Sequence, residues 1–474
     1  MKNIYITTTL PYVNAKPHIG FAREIIQADV LARFYRSIGY EVFFNTGTDE
    51  HGQKILQKAQ EQELAPQQYV DQWAEEFRKT KKFLSLDYTR FIRTTDTDHI
   101  KAAQKFWQIC DQNGLIYKKE YQTKYCVGCE LEKTDSELIN GKCPDHPNQE
   151  LELREEENYF FKFSQFQKQL LELYANNSEF VVPVKRFNEI KKFVENGLED
   201  FSISRLKEKM SWGVEVPNDS SQVMYVWFDA LVNYISTLGW GSDDEDNFEK
   251  FWENSDKRIQ FCGKDNLRQQ SAMWQAMLLA AGIKNSSKVF VNGFVTVDGQ
   301  KMSKSLGNVI SSDEMVARYG TDGTRYLLLT AGSFGEDTDI TWERMDEKYN
   351  ADLANGLGNL VSRLIKLGSE VEYKKDETVG VDISLWENKI SQGGFDEILK
   401  EIWGKIKGMD KLMEEKKPWE LKKSNQDEFE KVMKEMLAGI EWIGQSLMPF
   451  LPEAAKKIAK AIKERKTEPL FFRL

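Results

Sequence analysis

No stretch of this sequence approaches the roughly 18 consecutive apolar residues that a membrane-crossing helix needs, so no membrane partner is expected. An apolar leader is missing as well. Met1-Lys2-Asn3 runs straight into a strand pattern, and the expected compartment is the cytoplasm. Cysteine is scarce, with five residues in 474, which excludes a disulfide-built scaffold. Histidine is scarcer still, at four. An excess of basic charge is also lacking. The formal net charge is −10, which argues against a surface coated for nucleic acid, so any such contact must be local. The one basic stripe, Lys456 to Lys466, reads as a solvated helix face. What is present is apolar content of 41%, enough for real cores. The length suggests about three domains.

The chain is organised around Thr7 to Gly20. Asn3 to Thr8 is rich in β-branched and aromatic residues and reads as a buried first strand. Ile19 to Arg36 carries Ile25, Ile26, Val30, Leu31 and Phe34 at helical spacing. Between them lies a Pro/Asn turn ending in His18 and Gly20. A helix N-terminus with unpaired N–H groups suits a phosphate. His18 would add a donor, and Gly20 would let a nucleotide approach the backbone. Alone, the stretch reads equally well as a βα turn with a surface histidine. Glu41 to Thr46 completes a βαβ unit, with ligands expected at the carboxyl ends of its strands. Asp49 is thereby placed to meet a cation such as an amino group, or else to cap the segment starting near Gln53.

Residues 53 to 115 read as helices, including Tyr69 to Leu84 and His99 to Asn113. Cys126-Val127-Gly128-Cys129 and Cys143-Pro144-Asp145-His146 then supply three thiolates and an imidazole, the ligands of a closed structural zinc site. Trp227, Ala230 and Tyr234 share a helical face. Ile259 to Cys262 is a strand ending in Gly263-Lys264-Asp265, followed by a helix from Leu267 to Ala281. Val295 to Gly299 leads into Lys301-Met302-Ser303-Lys304-Ser305, whose two lysines and two hydroxyls suit a phosphate clamp. Ser311 to Glu314 starts a short capped helix. From about Tyr349 the pattern is all helical. Asn359 and Arg363 fall four apart on one face, and Trp419 follows Pro418.

Pro17-His18-Ile19-Gly20, followed about 280 residues later by Lys301 to Ser305, resembles the HIGH and KMSKS signatures of class I aminoacyl-tRNA synthetases. The two knuckles, the Trp227 to Tyr234 segment, and Asn359, Arg363 and Trp419 extend the resemblance over essentially the whole chain, toward the methionyl enzymes. Leucyl, isoleucyl and valyl relatives carry a large editing insertion that 474 residues leave no room for. Cysteinyl relatives hold a zinc near the first strand, whereas the first cysteine here is Cys110.

The resemblance implies an α/β fold: a Rossmann-type parallel-sheet catalytic domain with a zinc-knuckle insertion and a C-terminal all-α helical bundle that binds the anticodon. The expected division is 1–115 and 216–300 for the two catalytic halves and 116–215 for the insertion. Residues 301–348 would form the KMSKS loop and stem-contact region, and 349–474 the helical domain. The implied reaction joins methionine to ATP, giving methionyl-adenylate and pyrophosphate, then passes methionine to the terminal adenosine of tRNA(Met). It implies ATP with Mg²⁺, and one structural Zn²⁺ on Cys126, Cys129, Cys143 and His146. A monomer is expected, since no β-barrel domain follows. His18, Lys301 and Lys304 are the implied catalytic residues. His18, Gly20, Arg205, Gly263, Asp265 and Lys304 would bind ATP. Leu10, Tyr12, Asp49, Trp227, Ala230, Tyr234 and Gln270 would hold methionine, and Asn359, Arg363 and Trp419 would read the anticodon.

The sequence departs from the family in places. Phe21 stands where the HIGH signature ends in histidine. Gln269, Gln270 and Met273 replace an aromatic, a histidine and an aromatic, and Phe201 replaces a common tryptophan. A non-catalytic tRNA-binding paralogue therefore stays open as an alternative. So does a small-molecule nucleotidyltransferase, although that would need no helical C-terminal domain.

Overall fold

The inner strands of the central sheet carry short apolar runs, the pattern expected where both faces are covered. The computed structural model describes residues 2–133, 137–302, 307–373 and 381–474. The chain divides into two compact units. One comprises Met1–Lys16, Glu41–Lys79 and Tyr88–Val291, and the other Pro17–Tyr40, Thr80–Asp87 and Asn292–Leu474.

The first unit is built on a six-stranded sheet in the order Arg90–Arg93, Glu41–Thr48, Asn3–Thr7, Lys257–Gly263, Lys288–Asn292, Val181–Val182. Asn3–Thr7 pairs in parallel with both neighbours, Ile6 lying opposite Phe44 and Ile259. Arg90–Arg93 is a correction, since the region was expected to be helical throughout. It is a four-residue edge strand with arginine at both ends and only Ile92 buried, too short and too polar to show a period. The helices Pro66–Phe83 and Thr97–Gln112 lie where periodicity places them. A second, four-stranded antiparallel sheet carries the knuckle region, in the order Leu131–Lys133, Ile116–Cys126, Glu152–Phe161, Phe201–Ser202. The core of this unit is rich in aromatic rings. Phe106 lies 5.9 Å from Phe228 and 5.7 Å from Trp240, and Trp252 lies 6.3 Å from Trp274. Burying each large apolar side chain contributes about 1.5–3 kcal/mol.

Two helices differ from expectation here. Trp227 to Tyr234 is not one helix but two, Val226–Ala230 and Asn233–Ser236. At the break the Ala230 carbonyl accepts from the Asn233 side-chain amide at 2.6 Å and Tyr234 N turns to Leu231 O at 3.4 Å, while the Asn45 amide donates to Asn233 at 3.3 Å and accepts from Thr237 at 2.8 Å, fixing the second helix to the Glu41–Thr48 strand. The helix after Asp265 opens into a π-turn at Gln269–Met273 before Trp274–Ala280.

In the second unit the helix Ile19–Ser37 packs with Ser312–Leu329. The latter is two helices meeting at Gly320, whose φ of 69° ends the first, the short capped helix expected from Ser311. Arg325 and Asp29 are fully buried and 2.7 Å apart. The guanidinium also donates to the carbonyls of Phe450, Leu84 and Pro449 at 2.7–3.2 Å, so the ion pair is fully partnered. A three-stranded sheet orders Gln300–Lys301, Val295–Val297, Thr338–Ile340. From Tyr349 onward every element among the described residues is helical.

Candidate active site and metal knuckle

The residues Asp49, Glu50 and His51 leave the carboxyl end of Glu41–Thr48 and meet three fates. Glu50 is buried and saturated. Arg93 donates to both its oxygens, at 2.7 and 2.8 Å, and Thr48 and Thr95 add hydroxyls at 2.7 and 2.6 Å. His51 donates to Asp229 at 2.6 Å. Asp49 pairs through its backbone with the Pro11–Val13 segment, but its Oδ1 is buried with no partner among the described residues. Burial, then the carboxylates of Asp229 and Glu130, push its carboxyl well above the usual range. An ammonium ion would satisfy that oxygen and restore its charge.

Tyr12 Oη, Trp227 Nε1 and Gln270 Oε1 are likewise buried without a partner among the described residues. A buried polar atom without a protein partner is open to a ligand or an ordered water. Leu10, Ala230 and Tyr234 are buried, and Gln270 Nε2 donates to Tyr234 Oη at 2.5 Å. Of the implied amino-acid residues, Tyr12 is bridged to Asp49, Asp49 feels Asp229 of the helix Val226–Ala230, and Gln270 is bonded to Tyr234.

Asp229 lies between two histidines. His51 holds one oxygen, and His99 Nε2 holds the other at 2.8 Å while its Nδ1 meets Ser236 at 2.9 Å. Burial raises the Asp229 carboxyl, but the two imidazoles outweigh it and hold it at about 2. Sequence reasoning gave His51, His99 and Asp229 no role. Histidine scarcity was the available signal, since the other two are His18 and His146.

In the knuckle, the ligand atoms of Cys126, Cys129, Cys143 and His146 lie within 4.8 Å of one another. Cys129 Sγ is 3.4 Å from Cys143 Sγ and 3.1 Å from His146 Nδ1. A tetrahedron with metal–sulfur bonds of about 2.3 Å has edges of about 3.8 Å, so the donor set fits a zinc ion. A Cβ on Gly128 would fall 2.5 Å from the His146 ring, so only glycine lets the imidazole close the site.

The HIGH turn lies in the second unit and corrects one expectation. Its N–H groups are not left open for an anion. Ile19 N donates to Ile310 O at 3.1 Å, and Gly20 N and Phe21 N donate to His18 Nδ1 at 3.0 and 3.4 Å. The exposed imidazole of His18 is its own helix cap. With Nδ1 accepting, Nε2 carries the proton and is the outward donor. A Cβ on Gly20 would lie 2.9 Å from that ring, so Gly20 makes room for His18 itself. Ser312 N and Oγ both donate to Pro17 O at 3.0 Å, tying the turn to the segment after the lysine loop.

Lys301 is exposed, 5.1 Å from the Phe294 ring. Lys304 lies outside the described residues. Asp265 is exposed and folds its carboxylate toward Gly263, where a Cβ would be 2.5 Å from Oδ1. Arg205 is buried, 4.5 Å from the Tyr225 ring and 5.3 Å from Tyr125. Asn359 and Arg363 are both exposed on the helix Asn359–Leu367. Trp419, 39% exposed, follows Pro418 at the start of Pro418–Ser424.

The first unit thus combines a parallel-sheet α/β fold, buried polar atoms without partners among the described residues and a zinc-type knuckle, and the second ends in an all-α region. The family model of class I (M) tRNA synthetases matches residues 4–152 and 146–365. The methionine–tRNA ligase of Caldanaerobacter subterraneus subsp. tengcongensis is 38% identical over 96% of this chain and 73% of its own length. That of Thermosynechococcus vestitus is 39% identical over 96% of this chain and 88% of its own. A solved structure of Mycobacterium tuberculosis methionyl-tRNA synthetase in complex with methionyl-adenylate superposes with a TM-score of 0.90 at 33% identity, covering 97% of this chain and 93% of that one. The chain belongs to the methionine branch of the class I tRNA synthetases.

Proposed function

We propose that this chain is a working methionine–tRNA ligase. It activates methionine with ATP, releasing pyrophosphate, and transfers the methionyl group to the terminal ribose of tRNA(Met). The observation that carries the reading is the buried Asp49 carboxylate, bridged to Tyr12 and left with an oxygen that has no partner among the described residues. Asp49 takes the α-ammonium, and Leu10, Ala230 and Tyr234 complete the side-chain wall. The substrate carboxylate then attacks the α-phosphorus, and pyrophosphate leaves. No protein nucleophile is needed, so catalysis rests on position and on donors aimed at the developing charge. His18 Nε2–H is such a donor, and Lys301 and Lys304 are proposed to be others. Gly263 and Asp265 hold the ribose, Gly20 seats the His18 ring, and Arg205 acts on the nucleotide side. ATP enters with Mg²⁺. Zn²⁺, when bound by Cys126, Cys129, Cys143 and His146, locks the knuckle. Asn359, Arg363 and Trp419 read the anticodon.

The proposal includes the five-part division 1–115, 116–215, 216–300, 301–348 and 349–474, a monomer, and a cytoplasmic location. No helix among the described residues is long and apolar enough to cross a membrane.

ATP–pyrophosphate exchange over a panel of amino acids tests the reading. Methionine should support exchange, with homocysteine weaker, because an apolar pocket separates such near-isosteres by only about 1–3 kcal/mol. Leucine or isoleucine matching methionine would overturn the amino-acid assignment. No exchange with any amino acid would leave the tRNA-binding paralogue.

A further inference from the structure

Glu130 directly follows the knuckle ligand Cys129, yet its side chain turns away into the protein and is 1% exposed. Its backbone takes the left-handed conformation, φ 51°. Oε1 accepts from Lys54 N at 2.7 Å. Lys54 lies in the first turn of Gln53–Glu61, the helix that begins just after Asp49-Glu50-His51-Gly52, and Gly52 offers that helix no side-chain cap. Glu130 is therefore the helix cap, supplied from 76 residues away. A Cβ on Gly52 would lie 3.2 Å from the same oxygen, so glycine admits the carboxylate. Oε2 accepts from Tyr125 Oη, and the Glu130 carbonyl accepts from Tyr225 Oη. Tyr225 is the N-cap residue of Val226–Ala230, which carries Trp227 and Ala230. Arg205 lies against both tyrosine rings. One knuckle residue thus braces two walls of the amino-acid site, the Asp49 loop and the Trp227 helix.

We infer that Glu130 is a positioning residue for methionine, joining the metal knuckle to the amino-acid pocket without touching the substrate. The inference rests on the pocket assignment made above. Its test is calorimetric titration of methionine, without ATP, into wild type, Glu130→Ala and Glu130→Gln, beside exchange kinetics and zinc content. Wild type should bind methionine; if it does not, the pocket assignment itself fails. Glu130→Ala should weaken methionine binding and raise its KM about 10-fold, with ATP KM within about twofold of wild type and zinc retained. Glu130→Gln, which keeps an acceptor for Lys54 N, should recover most of the loss. Methionine affinity unchanged in Glu130→Ala would overturn the inference. So would an equal rise in both KM values, loss of zinc, or a glutamine variant no better than alanine.

Discussion

The buried groups proposed to hold methionine and the HIGH turn are arranged in opposite ways. In the pocket, Asp49, Tyr12, Trp227 and Gln270 each keep a buried polar atom without a partner among the described residues. In the HIGH turn, the first three helical N–H groups all have acceptors, two of them the His18 ring. A binding site can leave its groups waiting, because the ligand arrives to meet them. A donor that must steady a developing charge is better held rigid beforehand. The difference teaches which residues should change affinity and which should change rate.

The largest effect belongs to the rigid donor. His18→Ala should slow methionine activation by about 10²–10³, the usual size for one such donor. His18→Asn sharpens the point, because asparagine also caps helices well. If the cap were all that mattered, pre-steady-state activation by His18→Asn would match wild type. A defect close to that of alanine is expected.

Asp49→Asn comes next, weakening methionine binding about 10–100-fold, the range for a charge-assisted hydrogen bond. Its neighbour supplies the contrast. Glu50→Gln breaks a buried pair with Arg93 and should cost about 3–5 kcal/mol of stability, whereas Asp49→Asn should leave the thermal midpoint unchanged or raise it. Melting curves that rank the two the other way would break the distinction between a saturated and a waiting carboxylate.

Trp419→Ala should lower charging of tRNA bearing a CAU anticodon about 10-fold, the scale of one stacked base. Exchange, which needs no tRNA, should not change. Charging indifferent to the substitution would remove Trp419 from the anticodon site.

The last change leaves turnover alone. Asp322 Oδ1 is buried with no partner among the described residues, while Oδ2 accepts from Ala454 N at 2.6 Å. Burial raises its carboxyl to about 6. A folded-state value above the unfolded one means a contribution fully present below about pH 4 and lost as pH rises through 6. Asp322→Asn should therefore stabilise the protein by about 1–3 kcal/mol at pH 7.5, and the gain should vanish near pH 4. Denaturant melts at both pH values check it. An orphaned atom that serves no ligand is a pure cost, and this variant measures it.

Local order was the readable part of the sequence. The strand–turn–helix at His18 and the knuckle spacing at Cys126 to His146 could be read because their residues are neighbours in the chain. Arg90–Arg93 was missed because four residues with charged ends carry no usable period. The break after Ala230 was missed because the Asn233 side chain takes the Ala230 carbonyl while Asn45, far away in sequence, holds Asn233 in place. Glu130 reads as one more solvated acid beside a cysteine, and only the fold brings Lys54 N to it. His18 was expected to act as a donor to a nucleotide; the task the structure shows, capping its own helix through Nδ1, depends on a ring rotamer that no sequence pattern reports.

The buried pairing of Arg325 with Asp29 bears on how a gene for this protein could be divided. A fragment made of residues 292–474 would contain Arg325, Pro449 and Phe450 but not Asp29, which arrives with the helix near the other end of the chain. It would fold, if at all, around an unanswered charge. Peptides covering 17–40 and 80–87, supplied separately, would bring the missing acid and the Leu84 carbonyl and should rescue it. The two signature motifs, so far apart in the linear message, are in this respect parts of one inheritable piece.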